Sequence, residues 1–272
     1  MANWFITGIS RGFGRIMAEE LLARGHTVVG TTRDGRAPML HDRLTVFRLD
    51  VRDADQADAV LAEAVATTGG IDVLVNNAGY GLVGAVEEVS AAEAEAVIGT
   101  NLIGTHNVIR AALPAMRAQG RGHIVNFSSV GGFAGSVGFG LYNAAKFAVE
   151  GLSEALALEL APFGIGVTIV EPGYFRTEFL SADSAVQAVA TIDAYAQSAG
   201  VTRSNVSARN GLQAGDPAKG VRAIIAAVEA PEPPLRLPLG ADCIARMESK
   251  IAQVQADIAA WRDTAIATAF DN

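Results

Sequence analysis

The chain has 272 residues, half of them hydrophobic, and a formal net charge of −8, which supports a large core and argues against disorder. The acidic balance without a basic run argues against a nucleic-acid or membrane partner, and no apolar stretch is long enough to span a bilayer. A single cysteine, Cys243, and four scattered histidines exclude an intrachain disulfide and a cysteine-based zinc cluster, so no metal is expected.

The N-terminus enters an apolar segment without the basic, apolar and cleavage regions of a signal peptide, and a cytoplasmic location is expected. Residues 4–7 read as a short strand. A glycine-rich turn follows, then a helix ending at Gly25. Residues 27–31 and 44–49 read as strands, and residues 53–67 have helical spacing, with Ala57, Val60, Leu61, Ala64 and Val65 on one stripe. A fourth strand is expected over 72–75. A long helix over 91–117 follows, with Gly99 or Gly104 as a break, then a fifth strand over 123–127. An apolar helix covers 141–161 and a sixth strand 165–170. Residues 175–214 are small and polar, and read as loop with short helices, a flap. Asp216 and Pro217 open another helix as acidic cap and first-turn proline. Residues 235–239 form an edge strand, because Pro238 bars a central one. A final helix over 242–270 carries an apolar stripe from Ile244 to Trp261, read as core or subunit interface. Strands alternating with helices imply an α/β fold. It is a doubly wound parallel sheet in three layers within one domain, with ligands at the carboxyl ends of the strands.

The run Thr7-Gly8-Ile9-Ser10-Arg11-Gly12-Phe13-Gly14 lies where the first strand meets the first helix. Small residues there let backbone approach a pyrophosphate at a helix N-terminus; a tight turn without a ligand is the alternative. An acid at the end of the second strand holds the ribose 2′-hydroxyl in NAD-binding folds. Here Thr32 takes that place, Arg33 follows, and Arg11 stands in the turn. Two guanidinium groups favour the 2′-phosphate of NADP(H), unless both are solvated surface residues; Asp34 opposes this reading.

Ser128 and Ser129 end the fifth strand, and Tyr142 and Lys146 share one helix face at i and i+4. A nearby ammonium is expected to lower the tyrosine pKa from about 10. A serine hydroxyl can hydrogen-bond a substrate oxygen while tyrosine exchanges the proton and a nicotinamide the hydride.

These residues, with Asn76-Asn77-Ala78-Gly79, Asn101 and Pro172-Gly173, resemble the short-chain dehydrogenase/reductase family. The likeness is to its NADP(H)-preferring hydroxysteroid- and retinol-dehydrogenase-like branch and to bacterial carbonyl reductases. The resemblance implies catalytic roles for Asn101, Ser129, Tyr142 and Lys146, with Asn101 holding a helix kink and a water. It implies cofactor contacts from Thr7, Gly8, Ser10, Arg11, Gly12, Phe13 and Gly14, and from Arg33, Asp50 and Val51. Further contacts are implied for Asn77, Ala78, Gly79, Tyr142, Lys146, Pro172, Gly173, Phe175 and Thr177. Asp50 with Val51 would meet the adenine, and Thr177 the nicotinamide amide.

Tyr80, Gly135, Val137, Phe139, Leu141, Tyr174 and Phe179 are expected to line the substrate side. That set is mostly apolar and holds no cation, which points to a neutral, lipophilic ketone, aldehyde or secondary alcohol. A homo-oligomer, dimer or tetramer, is expected from the apolar faces of the helices over 91–117 and 141–161. Two rival readings stand: a catalytically silent NADP(H)-sensing regulator of the same fold, and an enzyme that alters a sugar nucleotide through transient oxidation.

Overall fold

The structure, a computed structural model, describes residues 1–270. Seven parallel strands form one sheet: β1 (Asn3–Thr7), β2 (Thr27–Thr32), β3 (Leu44–Arg48), β4 (Val73–Asn76), β6 (Gly122–Phe127), β7 (Ile165–Pro172) and β9 (Arg236–Leu239). Their order across the sheet is β3-β2-β1-β4-β6-β7-β9. The central strands are buried on both faces, which explains their continuous apolar runs. In β1 the alternation of side chains sends Phe5 to one core, while Trp4 and Ile6 go to the other.

The first core packs under α2 (Ala54–Thr68), α4 (Gly104–Gln119) and α5 (Gly140–Leu160), the second under α1 (Gly12–Ala23) and α7 (Pro217–Val228). Side-chain caps open α2 and α7, the second as the sequence predicts. Asp53 accepts from Gln56 N–H before α2, which ends at Gly69 in the left-handed region. Asp216 accepts from Ala218 and Lys219 N–H before α7. The expected long helix over 91–117 is interrupted: α3 (Ala91–Ile98) passes through a π-helical turn, Gly99–Ile103, into α4. A Cβ on Gly104 would collide with the Val51 side chain, so the break adjoins the segment that follows β3.

The chain winds outward from β1 through β2 to β3, then crosses back to β4. The crevice at that switch opens at the carboxyl ends of the strands. Over it lie residues 81–83, for which the sequence suggests no element, and part of the segment it reads as loop with short helices. There β5 (Gly81–Val83) pairs in parallel with β8 (Ala185–Gln187), followed by α6 (Ala199–Arg209). The last helix, α8 (Ala241–Ile266), is a turn shorter at its end than expected and buries only Cys243 and Met247. Among the described residues no helix is long and apolar enough to cross a membrane.

Candidate active site

The turn after β1 is laced to the end of β4. Thr7 Oγ1 accepts from Asn77 and Ala78 N–H, both at 3.0 Å. The Asn77 side-chain amide donates back to the carbonyls of Thr7 and Gly8, both at 2.9 Å. Gly8 and Gly12 take φ of 73° and 57°, a region other residues enter at a cost. A Cβ on Gly14 would collide with Gly8 O. Thr7 and Gly14 therefore build the turn from behind, while Gly8, Ser10, Arg11, Gly12 and Phe13 line the cleft. No side chain caps α1, so its first amides face the cleft, and a carboxylate already uses one: Gly12 N–H donates to Glu178 Oε2 at 3.1 Å.

Beyond the turn the cleft runs past Thr31, Thr32, Arg33, Asp50, Val51 and Arg52. Asp34 is not in the wall. Its carboxylate accepts from Arg36 N–H at 3.1 Å, and that bond holds its pKa low. Arg33 lines the cleft with no carboxylate within ion-pair distance among the described residues. Arg11 reaches across to donate to Asp183 O at 3.0 Å. Asp50 pairs with Arg52 at 2.6 Å, and its pKa falls, first through that hydrogen bond and in small part through the charge of Arg33.

At the other end Ser129, Tyr142 and Lys146 meet in one wall. Ser129 Oγ accepts from Gly131 N–H at 3.0 Å. Its neighbour Ser128 has a buried hydroxyl with no hydrogen-bond partner among the described residues. Lys146 Nζ donates to Phe127 O at 2.7 Å and lies 5.9 Å from the Tyr142 ring centroid. Phe139 and Phe179 flank that ring at 6.0 and 5.7 Å. The expected lowering of the tyrosine pKa is not found. Burial pushes Tyr142 up to about 12, against the pull of the Ser129 hydroxyl. The same burial brings Lys146 down to about 8, against the charge of Glu150. Desolvation disfavours both charged forms, and at these positions it outweighs the Ser129 hydrogen bond and the Glu150 charge.

Asn101 is fully buried in the π turn and does not line the cleft. Its side chain is spent on the Tyr80 backbone, accepting at 3.0 Å and donating at 2.9 Å. It thereby fixes the Gly79–Tyr80 wall, where a Cβ on Gly79 would touch both Asn101 and Lys146. After β7, Pro172, Gly173, Phe175 and Thr177 line the cleft. Phe175 packs on Phe13 at 5.2 Å between ring centroids, and Thr177 Oγ1 accepts from Phe179 N–H at 3.2 Å.

The whole cleft holds about 670 Å³. Of the expected substrate-side residues, Tyr80, Phe139, Tyr174 and Phe179 line it, and Gly135, Val137 and Leu141 do not. A Cβ on Gly135 would meet nothing within 4 Å, Val137 is exposed and Leu141 turns aside at the start of α5. Leu82, Leu180 and Val186 join the wall instead, as does a cation, Arg246 of α8. The expectation of a wall without cations is thus corrected. Arg246 donates to Ala134 O at 3.2 Å, to Ser136 Oγ at 3.0 Å and to Gly135 O. These bonds commit it to the loop.

The model of the short chain dehydrogenase family matches residues 3–188. Oxidoreductase BOA17 of Botryotinia fuckeliana is 35% identical over 272 residues, covering 98% of both chains. A 3-ketodihydrosphingosine reductase of Bacteroides thetaiotaomicron is 44% identical over 174 residues, covering 64% of each. A short-chain dehydrogenase from Streptomyces avermitilis superposes with a TM-score of 0.91 at 42% identity, covering 99% of both chains. With the sheet order and the cleft at its switch point, these likenesses make the chain a member of the short-chain dehydrogenase family, with that family's oxidoreductase chemistry.

Proposed function

We propose that the protein transfers a hydride between NADP(H) and a neutral, lipophilic ketone, aldehyde or secondary alcohol. The observation that carries this reading is one continuous cleft. It joins the glycine turn, Arg11 and Arg33 at one end to Ser129, Tyr142 and Lys146 at the other.

The glycine cradle fits a dinucleotide: a Cβ on Gly8 would lie 3.1 Å from Ala78 Cα, and the amides of α1 open on the cleft. Solved relatives carry NADP in some cases and NAD in another, so the choice rests on this chain's own residues. Thr32 is buried and donates to Arg36 O at 3.2 Å, Asp34 is turned into its own loop, and Arg33 is left to meet a 2′-phosphate, with Arg11 nearby but bonded to Asp183. Bound nicotinamide supplies or accepts the hydride. Tyr142, which holds its proton at neutral pH, gives that proton to the substrate oxygen in reduction, and Ser129 donates a hydrogen bond to the same oxygen. Lys146, held by Phe127 O, orients beside Tyr142, and Asn101 keeps the adjoining wall in place. Tyr80, Leu82, Phe139, Phe179 and Leu180 give the substrate side an apolar surface. Arg246 is spent on its loop and does not clamp an anion.

A panel of ketones, aldehydes and secondary alcohols, followed by NAD(P)H absorbance with each cofactor, tests the reading. Turnover of apolar carbonyls with NADPH at a lower KM than NADH is expected. Preference for NADH, or activity confined to anionic oxo-acids, would overturn it.

A further inference from the structure

The helix α8 leaves the domain carrying a seam that, beyond Met247, none of the described residues covers. Met247, Ile251, Val254, Ile258, Trp261 and Ala265 recur at alternating steps of four and three residues, the spacing of a coiled-coil stripe with β-branched Ile at one of its two positions. The seam begins inside the protomer, where Cys243 and Met247 pack with Val130 and Phe133. It then runs on into solvent: every residue from 251 to 270 is exposed, Trp261 by 68% and Ile258 by 55%. Helices in proteins draw most of their stability from burying an apolar face.

We infer that this seam pairs with the same seam of a second copy, the two helices running antiparallel. The direction follows from the near end of the stripe. Each copy's own domain already covers Cys243 and Met247, so parallel helices would bring two domains to one end of the pair. Each chain carries a net charge of −8, and antiparallel helices hold the two domains apart. With Ile251 against Trp261 and Val254 against Ile258 of the second copy, the shared stretch spans about 15 Å at the rise of an α-helix. The flanking charges suit that register: Glu248 of each copy faces Arg262 of the other. Asp257 meets its own counterpart beside the axis, the one unfavourable pair. Arg246, next to the seam's Met247, holds the 134–136 loop of the cleft, so a paired α8 also steadies an active-site wall.

Light scattering and sedimentation equilibrium on the full chain test this. Ile258→Glu places a charge in the seam at a site already exposed in the protomer, so the domain itself should fold. It is expected to halve the assembly mass relative to wild type. Gln255→Cys places a thiol beside its own counterpart only if the helices run antiparallel, and mild oxidation is expected to give a disulfide-linked pair; the native Cys243 is buried. Equal masses for wild type and Ile258→Glu would overturn the proposal, as would failure of Gln255→Cys to cross-link. Binding of wild type but not Ile258→Glu to phosphatidylcholine vesicles, with both monomeric in their absence, would assign the face to lipid and also overturn it.

Discussion

Lys146 Nζ donates to the carbonyl oxygen of Phe127 at 2.7 Å, tying the face of α5 that carries Tyr142 to the last residue of β6. The bond holds the ammonium where burial opposes its charge. Its pKa falls from the ordinary 10.5 to about 8. Between those values the folded chain binds fewer protons at this site than the unfolded chain, so the site's contribution to stability improves as pH rises. The penalty is full below pH 8 and gone above 10.5, and across that window it amounts to about 3 kcal/mol at most. Lys146→Met removes it together with the bond. The stability difference between Lys146→Met and wild type is therefore expected to shift towards wild type as pH rises from 8 to 10.5. Denaturant unfolding at a series of pH values measures it. A difference that does not change with pH would show that the lysine is not desolvated.

Tyr142→Phe removes only a hydroxyl from a ring already packed between Phe139 and Phe179. Turnover is expected to fall by at least about 100-fold, the share of a positioned acid. Dinucleotide affinity and thermal stability should change little. Single-turnover kinetics with calorimetric NADPH titration separates the two effects, and a variant with full turnover would remove Tyr142 from the chemistry.

The local parts of this site were legible in the chain. A glycine turn between a strand and a helix, and a Tyr and Lys four apart on one helix, are set by neighbouring residues. Arg246, Glu178 and Leu82 were not legible, because only the tertiary fold brings them to the cleft. The pairing of β5 with β8 was missed because three-residue strands are too short to show a period. The pKa of Tyr142 was misjudged for another reason. An i,i+4 spacing reports a neighbour's charge but not the depth of burial, and burial decides the direction here.

Arg33 lines the cleft while Asp34 turns to Arg36 N–H. Arg33→Ala is expected to raise the KM for NADPH by about 10- to 100-fold, the equivalent of a charge-assisted hydrogen bond of roughly 1.5–3 kcal/mol. The KM for NADH should stay within a factor of about two, since no 2′-phosphate is involved. Steady-state kinetics with both cofactors reads the ratio, and an equal loss for both would assign Arg33 a structural role.

Glu178 Oε2 accepts from Gly12 N–H and so competes for an amide suited to a pyrophosphate. Glu178→Gln keeps an acceptor and removes the charge. Cofactor affinity is expected to rise roughly 2- to 5-fold, from the ~0.3–1 kcal/mol that a charge at a helix N-terminus carries. Isothermal titration with NADPH tests it. Weaker binding would mean that the carboxylate helps to build the site.

Behind the active site Arg236 bonds Glu150 and Glu171, each at 2.5 Å, and also Glu154. Glu171 is fully buried and Glu150 nearly so. Burial, followed by the charge of Glu150, pushes Glu171 up to about 7, against the pull of Arg236. Arg236→Met leaves two buried carboxylates facing each other without a cation. Removing one partner of such a group costs about 3–5 kcal/mol, and the loss is expected in chemical unfolding at pH 8. Glu171 binds a proton on folding at any pH between the ordinary carboxylate value and its own raised one. Stability from this site therefore falls as pH rises through that interval, and more steeply without Arg236. Acidifying from pH 8 to 5.5 should recover part of the loss in Arg236→Met. A deficit independent of pH would mean that lost packing of the arginine on the Phe133 ring outweighs the exposed repulsion.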